Sequence, residues 1–406
     1  MRTLLALVLA MSTTAGCADD APIEPSTDAD APPAPRVSLS PDGRMEVLLN
    51  AYYLQEEATR ALRSGTEPAH VDETLRKLSG LGVTLVRTNA FNDDPAKVGD
   101  TTIQIDPLVF DEVALHGLDV VLARAHASGL RLVLPLGNYW DDFGGTRQYC
   151  RWAGLPDPKR GDARFFTDPN VRALYLAWIS ALLNRVSTVD GIRYGDHPAV
   201  FAWELLNEPR GDGLSPDGAQ MRAWVDAVAS HVKSLAPTHR VAVGEEGFET
   251  SFAGHDEAFW RDAGRDWMFR SGSSFALNTA SPWIDVATVH LYPDGWSFPR
   301  RLVTRGATRW ISEHAAIARG LGKPLLVEEL GLRDDGMVPL LEDRRAWMRA
   351  VFDAMRTTGA AGGGPWQFAY DARPADDYTF RWLDGTAPDD PRNAYADLVQ
   401  QLAATR

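Results

Sequence analysis

Residues 197–210 read HPAVFAWELLNEPR, and the interpretation of the whole chain depends on this stretch. Its first part, which ends at Ala202, is an apolar run typical of a buried strand. The run then leads into an amide, a carboxylate and a proline at residues 207–209. An ionised side chain at the edge of an apolar segment is costly unless it has a partner or a use. The stretch therefore predicts that a strand delivers Glu208 to a functional site, where a second carboxyl group faces it.

Further apolar runs along the chain resemble this strand, and most of them are followed by a helical pattern. Together with the run near Val200, the strand candidates begin near Val47, Val83, Leu130, Arg240, Ile284, Leu325 and Gly364. Continuous rather than alternating apolar runs indicate strands buried on both faces of a parallel sheet. Eight strand and helix units predict an α/β fold, a closed (β/α)8 TIM barrel. An open doubly wound sheet is the alternative, but no glycine-rich phosphate motif follows the first strand.

The composition is that of an ordinary soluble globular protein, with 406 residues of which 45% are hydrophobic and 24% charged. The net charge of -14 argues against a nucleic-acid partner, because phosphate binding needs a basic surface. Thirteen tryptophans suit stacking on sugar rings, although most tryptophans simply fill cores. The nine histidines are scattered without ligand spacing, so we expect no metal site. We also expect a monomer without a cofactor.

Residues 1–17 have the features of an export signal. Arg2 supplies the positive charge, Leu4 to Met11 form a short apolar core, and small residues lead to Cys17. The apolar run is too short to span a bilayer as a mature helix. The ending resembles a bacterial lipobox, in which Cys17 carries the lipid, and an ordinary cleaved signal is the alternative. Both interpretations predict an exported protein, either a cell-surface or periplasmic lipoprotein or a secreted one.

An acidic segment rich in proline and alanine follows the signal. Residues 18–36 contain almost no large apolar side chain, which predicts a disordered tether. Residues 37–406 then form one barrel domain. If Cys17 is lipidated, no disulfide can form, and Cys150 is expected to be a small buried apolar residue.

Polar and aromatic residues follow most of the predicted strands, where the catalytic residues of a barrel lie. They are Arg87, Asn138, Trp140, Asn207, Glu208, His290, Tyr292, Glu328, Glu329 and Trp366. Glu208 and a glutamate of the seventh strand come from opposite sides of the barrel. Two facing carboxyl groups can cleave a glycosidic bond, since one protonates the leaving oxygen while the other attacks or activates water. The simpler alternative, that each glutamate is a salt-bridged loop residue, does not explain this convergence on one mouth.

The same residues are similar to those of a known family. Asn207-Glu208-Pro209 resembles the acid/base motif of glycoside hydrolase family 5, in clan A, and Glu329-Leu330-Gly331 resembles its nucleophile motif. That motif selects Glu329 over its neighbour Glu328. Within the family, the chain resembles bacterial endo-β-1,4-mannanases from about residue 47 to residue 370, in segments that include 50–53, 138–145, 166–169, 246–248 and 290–296.

The resemblance implies a retaining hydrolase that cleaves internal β-1,4-mannosidic bonds in mannan, glucomannan or galactomannan. Glu329 would be the nucleophile and Glu208 the acid and then the base, with carboxyl groups about 5 to 5.5 Å apart. Arg87 would keep Glu329 ionised. Asn207 would donate to the sugar 2-hydroxyl, Tyr292 would donate to the nucleophile, and His290 would orient the acid/base. The implied substrate-binding residues are Asn138, Trp140, Glu246, Trp296 and Trp366.

Two glutamates and two departures from the mannanase pattern need separate interpretation. Glu204 has the strand parity of Glu208 but lies four residues deeper, which predicts a buried acid paired with an arginine. Glu246 is either a substrate contact or a structural residue. Asn89 and the pair at 273–274 replace residues more usual in mannanases, which leaves the fine structure of the substrate open.

Two other functions are compatible with parts of this pattern. Another family 5 β-glycanase or an exo-mannosidase would use the same chemistry, because a barrel determines where a site lies but not its substrate. A non-catalytic surface lipoprotein that binds polysaccharide would need no chemistry. The presence of Glu208, Glu329 and their supporting residues argues against this second alternative.

Overall fold

Eight parallel strands form the centre of this protein, whose computed structural model describes residues 38–40, 42–333, 341–369, 378–381 and 396–405. In chain order the strands are Glu46–Asn50, Leu85–Arg87, Arg131–Pro135, Val200–Glu204, Arg240–Ala242, Ala287–Leu291, Leu325–Leu330 and Gly362–Gly363. An isolated parallel bridge between Ala242 and Val286 joins the fifth strand to the residue just before the sixth. The strands therefore close into the predicted (β/α)8 barrel, and the open doubly wound sheet is excluded.

The eighth strand differs most from its prediction. The sequence places it near Gly364, whereas the structure forms it from Gly362 and Gly363. A Cβ at Gly362 would lie 2.6 Å from the carbonyl oxygen of Glu46, so the neighbouring backbones approach too closely for a side chain. A strand made of glycine leaves no apolar pattern to detect. The segment predicted to start near Gly364 nevertheless runs alongside the seventh strand, because the Trp366 amide donates to the Leu330 carbonyl over 3.0 Å.

Helices cover the barrel on the outside. They span Leu54–Arg63, Ala69–Gly80, Glu112–Ala127, Gly145–Trp152, Arg164–Thr167, Pro169–Asn184, Ala219–Leu235, Glu257–Asp262, Phe275–Thr279, Val303–Gly320, Leu341–Thr358 and Ala396–Thr405. The helix Leu54–Arg63 is not predicted from the sequence, because its buried face carries polar residues such as Gln55 and Thr59. Two short ribbons lie outside the barrel, Gln104–Asp106 with Val109–Phe110 and Phe368–Ala369 with Phe380–Arg381.

Inside the barrel, an apolar layer of side chains lies beneath a polar one. The apolar layer includes Leu48, Leu85, Val133, Ala202, Ala242, Val286, Leu326 and Ala361. Because alternate residues of a strand share a face, residues two positions further along point into the same interior. On five strands these next residues are buried and polar, namely Asn50, Arg87, Glu204, Thr288 and Glu328. This polar layer lies at the carboxyl ends of the strands and forms the floor of the candidate site.

The predicted signal peptide, the lipidation site Cys17 and the tether at 18–36 lie outside the described residues. Cys150 is a free, fully buried cysteine within the main apolar core, as expected. Burial raises the pKa of its thiol to about 12, so the thiol stays protonated and unreactive. None of the helices in the described part of the chain is both long enough and apolar enough to cross a membrane.

Candidate active site

Glu208 lies at the mouth of the barrel, four residues beyond the end of the fourth strand. Its backbone has a φ of 51°, a left-handed conformation that costs a non-glycine residue about 1–3 kcal/mol. The amide of Glu208 donates to the carbonyl oxygen of Gly244 over 2.7 Å, which holds the residue in this conformation. Backbone strain of this kind clusters where a side chain has to be aimed at a site.

Two ring nitrogens contact the carboxyl group of Glu208, which is 9% exposed. The indole Nε1 of Trp140 donates to Oε2 over 2.5 Å, and Nδ1 of His290 lies 2.8 Å from Oε1. Burial raises the pKa of Glu208, while the hydrogen bond from Trp140 and the charge of Arg210 oppose the rise. Glu208 therefore keeps its proton to a higher pH than an exposed glutamate does, as a general acid requires.

Glu329 lies on the seventh strand, across the barrel from Glu208, and is 4% exposed. The hydroxyl of Tyr292 donates to its Oε2 over 2.5 Å, and the guanidinium of Arg87 forms an ion pair with its Oε1. The pKa of Glu329 is raised, mainly by burial and also by the charge of Glu208, whereas His290, the charge of Arg87 and the hydrogen bond from Tyr292 act to lower it. These opposing contacts favour the ionised form that a nucleophile needs.

The two carboxyl groups face each other over the centre of the barrel. One oxygen of Glu208, one ring nitrogen of His290 and one oxygen of Glu329 all lie within 4.8 Å of one another. Retaining glycosidases hold their carboxyl groups about 5 to 5.5 Å apart, whereas inverting ones need about 6.5 to 9.5 Å to admit a water. The separation in this structure suits direct attack by one carboxylate on a sugar bound between the two.

Arg87 connects this pair to the polar layer below it. Its side chain is fully buried and contacts both oxygens of Glu204, with Nε 2.9 Å from Oε1 and Nη2 2.8 Å from Oε2. The predicted pairing of Glu204 with an arginine is therefore present. Because a buried cation needs hydrogen-bonded anionic partners, Glu204 holds the guanidinium in place beneath Glu329.

Asn207 and Asn138 form a linked amide pair beside Glu208. Arg87 Nη2 donates to Oδ1 of Asn207 over 2.6 Å, and Nδ2 of Asn207 donates to Oδ1 of Asn138 over 2.9 Å. The amide group of Asn207 keeps a second N–H that can face a substrate. Asn138 also accepts from the Trp140 backbone amide and donates to the Asp142 carbonyl. With these three contacts, Asn138 orients Asn207 and Trp140, and its predicted contact with the substrate stays a prediction.

Glu246 lies at the fifth strand's end, is 3% exposed and pairs with Arg210 through both oxygens, over 2.6 and 2.8 Å. Burial and the nearby charge of Glu208 raise the pKa of Glu246 to about 7. Trp296 donates to Glu246 over 3.2 Å and is 6% exposed within an aromatic cluster. The ring of Trp296 therefore has little free face and supports Glu246, and its predicted contact with the substrate stays a prediction.

The walls of the site are aromatic. Trp366 is half-buried, and its ring lies 4.8 Å from the ring of Tyr52 in an edge contact. Trp140 is also half-buried, but the guanidinium groups of Arg210 and Arg160 lie 4.7 and 5.0 Å from its ring centroid. A sugar would therefore compete with arginine for the indole faces of Trp140. What the structure shows directly for Trp140 is the hydrogen bond from its indole N–H to Glu208.

Two residues of the site were not singled out from the sequence. Tyr52 lies two residues beyond the first strand, and the Arg87 guanidinium is 6.0 Å from its ring centroid. Arg210 ends the opening stretch and connects Glu246 to the rings of Trp140 and Phe248. The strand-end rule, applied to the first strand, would have found Tyr52. Nothing in the sequence indicates which residues Arg210 contacts.

Glu208, His290 and Glu329 are the one group among the described residues whose ligand atoms lie close enough together to hold a metal ion. Their atoms are already engaged by Trp140, Tyr292, Arg87 and one another. The guanidinium of Arg87 would also repel a cation at this place. The chemistry of this donor set fits a pair of acid and nucleophile better than a metal centre.

Comparisons with known proteins agree with this geometry. Residues 39–396 match the family described as GH family 5 beta-mannosidase-like. The chain is 35% identical over 364 residues to a putative mannan endo-1,4-beta-mannosidase 5 of Oryza sativa subsp. japonica, covering 88% of this chain and 70% of that protein. It is 32% identical over 321 residues to mannan endo-1,4-beta-mannosidase 1 of Arabidopsis thaliana, covering 77% and 74% of the two chains.

Solved structures show the same similarity. The endo-beta-1,4-mannanase from Thermotoga petrophila superimposes with a TM-score of 0.76 at 28% sequence identity, over 90% of this chain and 78% of that one. The endo-1,4-beta-mannanase from Rhizomucor miehei superimposes with a TM-score of 0.71 at 25% identity, over 89% and 95% of the two chains. The similarity thus extends over nearly all of the barrel.

Proposed function

The chain belongs to glycoside hydrolase family 5, in its β-mannosidase-like group, and from this membership we propose that it cleaves internal β-1,4-mannosidic bonds. The observation that carries the proposal is the placement of Glu208 and Glu329 with oxygens within 4.8 Å of each other, each supported by its own donors. The relatives named above act on mannan, which suggests mannan, glucomannan or galactomannan as the substrate class.

In the first step of the proposed mechanism, Glu329 attacks the anomeric carbon and forms a bond between sugar and enzyme. Glu208 gives its proton to the glycosidic oxygen, so that the leaving chain departs as a neutral alcohol. Arg87 and Tyr292 keep Glu329 ionised until it attacks. The free N–H of Asn207 is suited to the sugar 2-hydroxyl, a contact that strengthens as positive charge develops on the sugar ring.

In the second step, Glu208 acts as the base. As a carboxylate it takes a proton from water, and the oxygen of that water attacks the anomeric carbon and releases Glu329. The N–H of Trp140 stabilises the carboxylate form of Glu208 during this step. Two inversions at one carbon return the original β configuration, which classifies the reaction as retaining.

The substrate class is tested by incubating the protein separately with linear mannan, galactomannan, glucomannan and cellulose and identifying the products. We expect oligosaccharides from the three mannans, with the β anomer as the first product seen by proton NMR. Cleavage of cellulose alone would refute the mannan assignment. Release of only mannose from chain ends would show exo action instead.

The assignment of the two glutamates is tested with Glu208→Gln and Glu329→Gln. Each variant keeps the shape of the side chain, but the first lacks the acid and the second the nucleophile, so we expect kcat to fall by about 10³-fold or more. Glu257→Gln, on an exposed helix, is a matched control that should retain full activity. If both site variants remain as active as this control, the two-glutamate mechanism is wrong.

We further propose that the barrel is exported and held to a membrane by lipid on Cys17, through the tether at 18–36. The proposal rests on the signal-like sequence of residues 1–17. Mass spectrometry of the protein purified from membranes should show acyl chains on Cys17, and Cys17→Ser should release it into the soluble fraction. A mature N-terminus beyond Cys17 would indicate an ordinary secreted enzyme. We expect size-exclusion chromatography to show a monomer.

A further inference from the structure

Glu328 is a buried carboxyl group for which the mechanism above has no task. It precedes Glu329 on the seventh strand and is fully buried in the polar layer beneath the site. Its backbone carbonyl accepts from Asn50, but no N–H or hydroxyl group among the described residues donates to either of its side-chain oxygens. A buried polar group to which nothing donates is destabilising, so its presence here calls for a reason.

Arg87, the nearby cation, has no donor left for Glu328. A guanidinium has five N–H groups. Those of Arg87 are directed at the two oxygens of Glu204, at Glu329 Oε1, at Asn50 Oδ1 and at Asn207 Oδ1. Its one positive charge already faces two carboxylates. A third carboxylate in this dry layer would therefore be uncompensated.

A second unsatisfied atom faces Glu328 from the neighbouring strand. His290 is fully buried, and while its Nδ1 contacts Glu208, its Nε2 has no hydrogen-bond partner within the described part of the chain. Oε2 of Glu328 lies 3.8 Å from this Nε2. The terminal torsion of a glutamate is broad, so a rotation of the carboxyl group can shorten this distance to a hydrogen bond.

The surroundings favour neutral forms of both groups. Burial, the repulsion from Glu204 and a side-chain hydrogen bond with Glu204 raise the pKa of Glu328 well above its ordinary value, while Arg87 acts in the opposite direction and Glu329 adds repulsion. Glu204 therefore competes with His290 for the O–H of Glu328, but both oxygens of Glu204 already accept from Arg87. Burial lowers the pKa of His290, although the charge of Glu329 opposes this. A neutral carboxylic acid has one O–H to donate, and a neutral imidazole has one donor and one acceptor nitrogen.

We propose that Glu328 is a positioning residue whose O–H donates to Nε2 of His290, which fixes the His290 proton on Nδ1, from where it is donated to Glu208. The inference rests on the proposed function, because it concerns the same site. In this arrangement His290 stabilises the carboxylate that Glu208 becomes after it protonates the leaving oxygen. Without Glu328, the proton of His290 can move to Nε2, and the Glu208 carboxylate then loses a donor.

The first experiment compares Glu328→Gln with Glu328→Met. The glutamine amide can also donate to Nε2 of His290, so we expect this variant to keep the wild-type kcat and pH profile. Methionine has no donor, so we expect kcat to fall about tenfold. The alkaline limb of kcat/KM should move to higher pH in the methionine variant, because the Glu208 carboxylate is less stabilised. A wild-type profile for Glu328→Met would overturn the proposal, as would a folded Glu328→Gln that behaves like methionine.

The second experiment needs no active variant. Nitrogen NMR of histidine-labelled wild-type protein, with the His290 signals assigned by their absence in His290→Asn, should show His290 protonated on Nδ1 and bare on Nε2. Protonation on Nε2 alone, or on both nitrogens, would overturn the proposal even if Glu328→Met fails to fold. Because this measurement does not depend on hydrolysis, it also separates the inference from the proposed function, which fails if the wild-type protein cleaves no mannan.

Discussion

At the scale of single residues, the two facing glutamates differ in the donors that surround them. Glu329 has a phenol O–H and the charge of Arg87, whereas Glu208 has an indole N–H and the ring of His290. Burial raises the pKa of both carboxyl groups, but the ion pair acts directly on Glu329. Environments of this kind separate the protonation states of two like groups, as acid and nucleophile require.

Tyr292→Phe tests this difference. The variant removes the 2.5 Å hydrogen bond to Glu329 and leaves the ring in place. Because a donor stabilises the carboxylate, its loss raises the pKa of Glu329, so the acid limb of kcat/KM should move to higher pH. We expect kcat/KM at the optimum to fall by about 10- to 100-fold.

The matched control for this variant is Tyr194→Phe. Tyr194 is buried and donates to Asp119 over 2.6 Å. It lies in the turn Tyr194–Asp196 that precedes the fourth strand, whereas the catalytic residues lie at the carboxyl ends of strands. The control should lose stability without changing the pH profile. A Tyr292→Phe profile that coincides with the wild type would show that the phenol does not affect the ionisation of Glu329.

At the scale of elements, helices pack against the strands from outside and contact the segments that follow them. The helix Pro169–Asn184 is an example, since Trp178 on its buried face donates to the backbone carbonyl of Leu136, just past the third strand. Its first turn is fixed by Asp168, whose carboxylate accepts from the amides of Asn170 and Val171 over 2.8 and 3.2 Å. This element carries no catalytic residue.

Asp168→Ala should therefore separate stability from activity. Loss of the cap leaves two amides of the first turn without their acceptor, which costs about 0.5–2 kcal/mol of unfolding free energy. We expect this decrease in urea unfolding, with kcat unchanged at temperatures where the protein stays folded. Asp168→Asn keeps a capping oxygen and should remain close to the wild type. An equal loss in both variants would show that the cap is not the cause.

At the scale of the whole molecule, buried acids make the stability of the barrel depend on pH. Glu245, beside Glu246, is 2% exposed, and burial raises its pKa to about 8. Asn278 donates to one of its oxygens over 2.9 Å, and the other has no hydrogen-bond partner among the residues that the structure describes. The folded protein therefore holds a proton that the unfolded chain releases near its ordinary pKa of 4.5.

Glu245→Gln should remove this dependence. A raised pKa means that the folded state binds more protons than the unfolded chain. The contribution of Glu245 to the free energy of unfolding is therefore fully present below a pH of about 4.5 and is lost as the pH rises toward about 8. Glutamine can still accept from Asn278 and cannot ionise. The variant should thus gain stability relative to the wild type as the pH rises, by an amount on the order of a few kcal/mol at pH 8.

Unfolding free energies at several pH values between 4 and about 9 measure this difference. Glu257→Gln, on an exposed helix, serves as the control and should differ from the wild type by less than about 0.5 kcal/mol throughout. A constant difference between Glu245→Gln and the wild type across this range would show that Glu245 ionises normally in the folded protein.

The sequence by itself determined the barrel, the order of its strands and the strand ends at which Glu208 and Glu329 lie. It could do so because apolar runs and caps act locally, and because a closed barrel brings all carboxyl ends of its strands to one mouth. The pairing of Glu204 with an arginine was also predictable, since a buried charge needs a partner.

Only the tertiary structure decided which side chains meet. Asn138 contacts Asn207, Trp296 and Arg210 both contact Glu246, and Trp140 donates to Glu208. The tertiary structure also placed the carboxyl group of Glu328, to which no described residue donates, below the catalytic pair. These contacts join residues far apart in the chain, so they depend on strand register, on rotamers and on the backbone of Glu208 at φ 51°. Local sequence patterns contain none of that information, because it arises when the barrel closes.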